Sequence, residues 1–208
     1  MKINKSKTKI IKFSKSRNWD FPPELCFSDG SPIESITETN LLGVMVTQDL
    51  RWQRNTDYIC SKARAKLWIL RRLIQFDLDR QTLFDVYCKE IRSIVEMAVP
   101  VWHSSLTKKQ SMEIERIQKL AFRLILRNDY VNYQLACSTL SALTLAERRI
   151  QICRKFAFKN LKSQNPLFSP CEMNMKTRNK NKIVKEFRCN TNRYKNSSLP
   201  YLCTLINQ

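Results

Sequence analysis

Residues 107–124 read TKKQSMEIERIQKLAFRL. Thr107 followed three residues later by Gln110 is a capping box: the hydroxyl covers a free amide of the first turn while the Gln side chain reaches back to the Thr N–H. Ile114, Ile117, Leu120/Ala121 and Leu124 then recur at helical spacing and form one apolar stripe. The stretch TLAE at 144–147 repeats the device, with Thr144 and Glu147 opening a helix striped by Ile150, Cys153, Ala157 and Leu161. Helices of this length gain most of their stability by burying such a stripe against a neighbour, so two of them imply a bundle.

Working outward, the same periodicity runs from Trp52 to Gln75. Ile59, Ala63, Leu67, Leu70 and Leu73/Ile74 share a face, and Lys62, Arg64, Lys66, Arg71 and Arg72 lie elsewhere. A second helix begins at Asp79 as N-cap, carries Leu83, Tyr87, Ile91, Ile94/Val95 and Ala98, and stops before Pro100. A short helix over 130–140 separates the two capping-box helices. About five helices therefore fill residues 51–165 as an antiparallel bundle.

Before Leu50 the pattern is that of strands. KTKIIKFS alternates near the N-terminus, giving a strand over 8–14; ELCFSDGSPIES (24–35) carries the turn signal Asp29-Gly30; LLGVMV (41–46) completes about three strands of a small antiparallel sheet. The fold class expected is α+β, mostly α. Its parts are a β-rich segment over 1–50, the bundle over 51–165, and a basic, partly disordered tail over 166–208.

The charge is concentrated at the ends. The chain of 208 residues carries a net +19, and residues 1–17 hold seven Lys/Arg without one acid. The tail adds Lys176, Arg178, Lys180, Lys182, Lys185 and Arg188. Such an excess goes beyond what solubility needs and points to a polyanion, nucleic acid before an anionic membrane. No apolar run is long enough to span a bilayer, and the Lys-rich start lacks the apolar core of a signal peptide, so the expected location is intracellular, nucleus or cytoplasm.

Composition removes several chemistries. Eight cysteines contain no C-x-x-C pair and stand beside a single histidine, so metal spacing is absent and buried reduced thiols are expected. Two glycines cannot build a phosphate-cradling loop. His103, alone after a proline, reads as a surface or loop-end residue rather than a catalytic base. The pair Asp77 and Asp79 has no third carboxylate for two-metal chemistry and is explained by helix capping.

Four segments, NKSKTKIIKFS, LLGVMVTQDLRW, ERIQKLAFRLIL and RYKNSSLPYLCTLIN, occur in the order seen at the end of the reverse transcriptase of non-LTR (LINE-type, jockey-like) retrotransposons. The chain resembles that region from end to end. The resemblance implies that Asn4, Lys7 and Thr8 match the N-x-x-K-T strand that follows the catalytic loop. It implies that Leu42, Gly43 and Val44 match the primer grip and that the helices match the thumb, which clamps primer–template. Leu41 replaces the family's usual Tyr, and Asp57-Tyr58-Ile59 stands where His-Ile is common, so stacking at Leu41 is not carried over.

On this resemblance the chain is expected to begin inside a longer polymerase, without the metal-binding aspartates. It is then expected to be inactive alone and to need no cofactor, Mg²⁺ belonging to the full-length enzyme. The expected partner is an RNA or DNA primer–template duplex or hybrid, bound non-specifically through Lys7, the α-helical cations and the tail, with the missing palm and fingers as a further partner. Two alternatives stay open: a self-standing basic helical nucleic-acid-binding protein, and a protein-interaction module.

Overall fold

In the computed structural model, residues 3–13, 25–168 and 182–208 are described, and the chain divides into two compact units at Tyr58/Ile59. The boundary therefore falls eight residues into what the sequence assigns to the bundle, because the start of the first helix packs with the β-rich part.

In the N-terminal unit, Asn4 caps a 3-10 turn over Lys5–Lys7: its side chain accepts from Lys7 N–H, and Thr8 Oγ1 donates to its carbonyl at 2.8 Å. The expected strand over 8–14 is thereby shortened to β1, Ile10–Ile11, because the alternating basic run starts as a turn. It pairs parallel with β2, Ser35–Ile36, so this ladder departs from the antiparallel arrangement expected. Asp29-Gly30 does turn the chain, with Gly30 at φ 79°, and among the described residues a single bridge, Cys26 to Pro32, forms around it.

The antiparallel hairpin is made of β3, Glu38–Leu41, and β4, Val44–Thr47. Leu42 and Gly43, expected inside a strand, are its two turn residues, both at positive φ (50° and 87°). That pair of signs matches the mirror-image turn whose twist suits hairpins. Asn40 Oδ1 accepts from Gly43 N–H at 2.9 Å and closes it. Helix α1, Gln53–Ile74, starts in this unit, where Asn55 Oδ1 accepts from Met45 N–H and Arg54 holds Glu38 through two nitrogens.

From Ile59 onward α1 belongs to the helical unit, and Ile59, Ala63, Leu67 and Leu70 are buried as their spacing requires. Asp79 accepts from Thr82 N–H at 3.0 Å and opens α2, Arg80–Val86. The helix continues through a π turn, Tyr87–Arg92, into α3, Ser93–Val95. The π turn keeps Leu83, Tyr87, Ile91 and Val95 on one buried line at four-residue spacing. Ala98, at φ 50°, ends it, and Pro100 sits in the first turn of α4, Val99–Trp102, where its missing N–H costs nothing.

Helix α5, Lys108–Leu126, has the capping box of Thr107 and Gln110, and α7, Leu145–Lys162, that of Thr144 and Glu147, both complete. Between them lies α6, Tyr133–Thr139, capped by Asn132. Helix α5 packs on α2, α6 and α7. Phe122 meets Tyr87 edge-on at 5.5 Å and Tyr133 at 6.2 Å, forming the aromatic centre of the core.

Of the tail expected to be basic and partly disordered, residues 166–168 and 182–208 are described and 169–181 lie outside the described residues. Residues 182–208 contain α8, Asn192–Lys195, and α9, Ser198–Asn207, whose Leu202, Cys203, Leu205 and Ile206 are buried against α7 and α4. Asn207 accepts from the N–H groups of Ile183 and Val184 and pins that segment to the end of α9. Among the described residues no helix is long and apolar enough to cross a membrane.

The candidate nucleic-acid interface

Helical geometry sorts the basic residues of α1 into two sets. At ~100° per residue, Arg64, Arg71 and Arg72 fall within about 60° of Trp68, while Lys62 and Lys66 point to the other flank. Arg64, Arg71 and Arg72 are exposed, and Trp68 keeps 57% of its surface in solvent. Lys66 differs, since its ammonium pairs with Glu90 at 3.1 Å. Arg72 donates to Gln75 at 3.4 Å, a weak neutral contact, and has no ion pair among the described residues.

Helix α7 carries a second basic face that the sequence reading, which followed its apolar stripe, did not single out. Arg154, Lys155, Lys159 and Lys162 surround Phe158 at an open surface groove. None of the four forms an ion pair among the described residues, and all are exposed. On α5, Lys119 lies over the Tyr133 ring at 5.0 Å and Arg123 over Tyr130 at 5.2 Å, so two more cations border the unit on aromatic faces.

The other expected contacts are distributed differently. Lys7 is exposed on its capped turn, and Leu42, Gly43 and Val44 form the hairpin turn and the start of β4, all within the N-terminal unit. Lys182 is held by Glu186 at 2.6 Å, whereas Lys185 and Arg188 are exposed. Lys176, Arg178 and Lys180 lie outside the described residues.

Beneath these faces is a buried polar cluster, and it explains why the α7 stripe differs from expectation. Arg149 is buried, where periodicity favoured Ile150, which is 39% exposed. Its guanidinium donates to Ser111 Oγ at 2.7 Å and to His103 Nδ1 at 3.3 Å. Burial, then the nearby Arg149 charge, pull the His103 pKa down to about 4, so its ring is neutral at pH 7. His103 is thus half-buried against Arg149 and Tyr201 rather than a surface residue. It accepts from a guanidinium, an arrangement that fixes a side chain and offers no free base.

The cysteines are partly as expected. Cys60, Cys137, Cys153 and Cys203 are buried, and burial pushes the Cys153 thiol up to about 12; Cys26 is exposed, and Cys88 and Cys189 are half-buried. Among the described residues no three His, Cys, Asp or Glu side chains converge as a metal site would require. Asp77 lies fully in solvent, 3.9 Å from Arg127. On α1 the exposed Trp68 stands among Arg64, Arg71 and Arg72, and on α7 the exposed Phe158 stands among Arg154, Lys155, Lys159 and Lys162. No known protein family, no curated protein and no solved structure matches the chain.

Proposed function

We propose that this chain binds nucleic acid, taking hold of the phosphate backbone of a duplex or hybrid through the unpaired cations of α1 and α7. The observation that carries this reading is that Arg64, Arg71, Arg154, Lys155, Lys159 and Lys162 have no acidic partner among the described residues of a chain whose net charge is +19. Cations that repel one another on a surface are stabilised together by a polyanion. The resemblance to the primer grip and thumb of a LINE-type reverse transcriptase favours a primer–template as that polyanion. On this reading the chain holds nucleic acid and does not polymerise it, and purified protein is expected to extend no primer with Mg²⁺ or Mn²⁺.

Binding to a labelled duplex and to an RNA–DNA hybrid, titrated at several salt concentrations, tests the proposal. Each neutralised phosphate on duplex DNA contributes about 0.9 to the slope of log affinity against log salt, so affinity is expected to fall roughly a hundredfold or more between about 50 and 200 mM. Salt-independent affinity, or no binding at low salt, would overturn it. A second reading, docking onto a protein partner, draws on the exposed apolar residues of the N-terminal unit, Phe13, Leu25, Leu41 and Leu42. A salt-insensitive result would favour it.

A further inference from the structure

Two helices repeat one arrangement. On α1, Trp68 is exposed with Arg64 four residues before it and Arg72 four residues after; on α7, Phe158 is exposed with Arg154 four before and Lys162 four after. Positions i and i±4 of a helix share a face and differ by ~6 Å along the axis, so each ring has a cation one turn above it and another one turn below.

Neither ring belongs to the fully buried face of the helix that bears it, Trp68 keeping 57% and Phe158 38% of its surface in solvent. Helix α1 already buries Ile59, Ala63, Leu67 and Leu70 on its opposite side, and α7 buries Cys153 and Ala157. Leaving a large aromatic in water forfeits its burial free energy, and an apolar protein partner covering it would also strip solvent from the two flanking cations. An unpaired nucleotide satisfies both demands. Its base offers a flat face to the ring, and its two flanking phosphates offer anions to the two cations. A base paired in duplex hides that face in the stack.

We propose that Trp68 and Phe158 are stacking platforms for unpaired bases, so that the chain grips a single-stranded segment of nucleic acid as well as duplex phosphates. The inference rests on the nucleic-acid reading above and adds the strandedness of the ligand and the atoms that contact it. Recognition is sequence-tolerant, because every base has a π-face.

The test uses the full chain with three probes: a single-stranded oligothymidylate, the same backbone with abasic sites throughout, and a duplex of equal length. Trp68→Ala and Phe158→Ala are each expected to weaken oligothymidylate binding by about 5- to 100-fold, the effect of losing one stacked base, while abasic and duplex affinities and the salt slope stay unchanged. Trp68→Phe should keep most of the affinity. Trp52 and Trp102 are buried and Trp19 lies outside the described residues, so in a Trp19→Phe background quenching of tryptophan emission by oligothymidylate should shrink sharply on adding Trp68→Phe. Both rings are on the surface, and unaltered thermal melts of the variants separate binding from folding. Equal oligothymidylate affinity of wild type and both alanine variants, with salt-dependent binding retained, would overturn the stacking inference alone. Failure of all three probes to bind at low salt would overturn the nucleic-acid reading and the inference with it.

Discussion

Arg149 Nη1 stops 3.9 Å from Glu115 Oε2 in the helical core, and neither of these two buried atoms has a hydrogen bond among the described residues. The charges face each other without a bonded contact. The rest of each side chain is tied down: Arg149 to Ser111 and His103, and Glu115 Oε1 to the Tyr133 hydroxyl and to Leu145 N–H at 2.9 Å, the first amide of α7. Glu115 therefore joins α5 to α6 and to the positive end of α7, and Arg149 is the buried cation nearest to it.

Removing that cation leaves a buried carboxylate without its counter-charge, a change that typically costs about 3–5 kcal/mol. Arg149→Ala is therefore expected to lower the urea midpoint of the helical unit steeply. Adding Glu115→Gln should recover part of the loss. A decrease below about 1 kcal/mol for the single variant, the range of a surface ion pair, would show that the pair is not a structural element.

His103 gives the unit an acid sensitivity. Its folded pKa of about 4 lies below the ordinary value of 6.5, with Arg149 of α7 and Tyr201 of α9 facing the ring. Between these two values the unfolded chain takes up a proton that the native one refuses, so stability is complete above pH 6.5 and is lost as pH falls toward 4. Urea midpoints measured across that range should decline for the wild type. In His103→Gln the decline should begin only where the carboxylates of Glu38 and Glu186, held low by Arg54 and Lys182, start to protonate. An identical pH profile for both proteins would rule the assignment out.

Leu42 occupies a positive-φ turn position with 93% of its surface exposed. A branched, apolar residue gains nothing there and carries the strain that Asn or Gly avoids. Leu42→Asn creates an Asn-Gly turn and should stabilise the β3–β4 hairpin by about 0.5–1 kcal/mol. Slower amide exchange at Val46, paired across the hairpin with Thr39, is the readout. Unchanged or faster exchange would mean that the Leu side chain has a role in the turn.

What the sequence made legible was local. Asp79, Thr107 and Thr144 act within three residues of themselves, and all three caps form as their spacing requires. The hairpin was hidden because Leu41-Leu42-Gly43-Val44 has the apolar continuity of a strand, and only backbone geometry discloses two positive φ angles inside it. Helix α9 was hidden by its basic surroundings, although Leu202, Cys203, Leu205 and Ile206 keep helical spacing. Arg149 was unreadable for another reason: a charge is placed in a core only by partners from other elements, here His103 and Ser111. Of the candidate interface, the α1 cations were visible. The α7 face emerges only once Phe158 is seen to be exposed.

Pairing separates the cations into those free to meet a phosphate and those already engaged. Lys155, Lys159 and Lys162 have no acidic partner among the described residues, whereas Lys66 is held by Glu90 and Lys182 by Glu186. A lysine that must leave a carboxylate to reach a phosphate exchanges one anion for another and releases fewer counterions. Lys155→Gln, Lys159→Gln and Lys162→Gln should each weaken binding uniformly across sequences and reduce the salt slope by about 1, while Lys66→Gln and Lys182→Gln change the slope little. Lys159 and Lys162 also sit in the last turn of α7, where a cation stabilises the helix dipole. That contribution appears in the thermal melt and leaves the salt slope untouched. Equal slope changes at the paired and unpaired lysines would show that total charge, rather than the α7 face, does the binding.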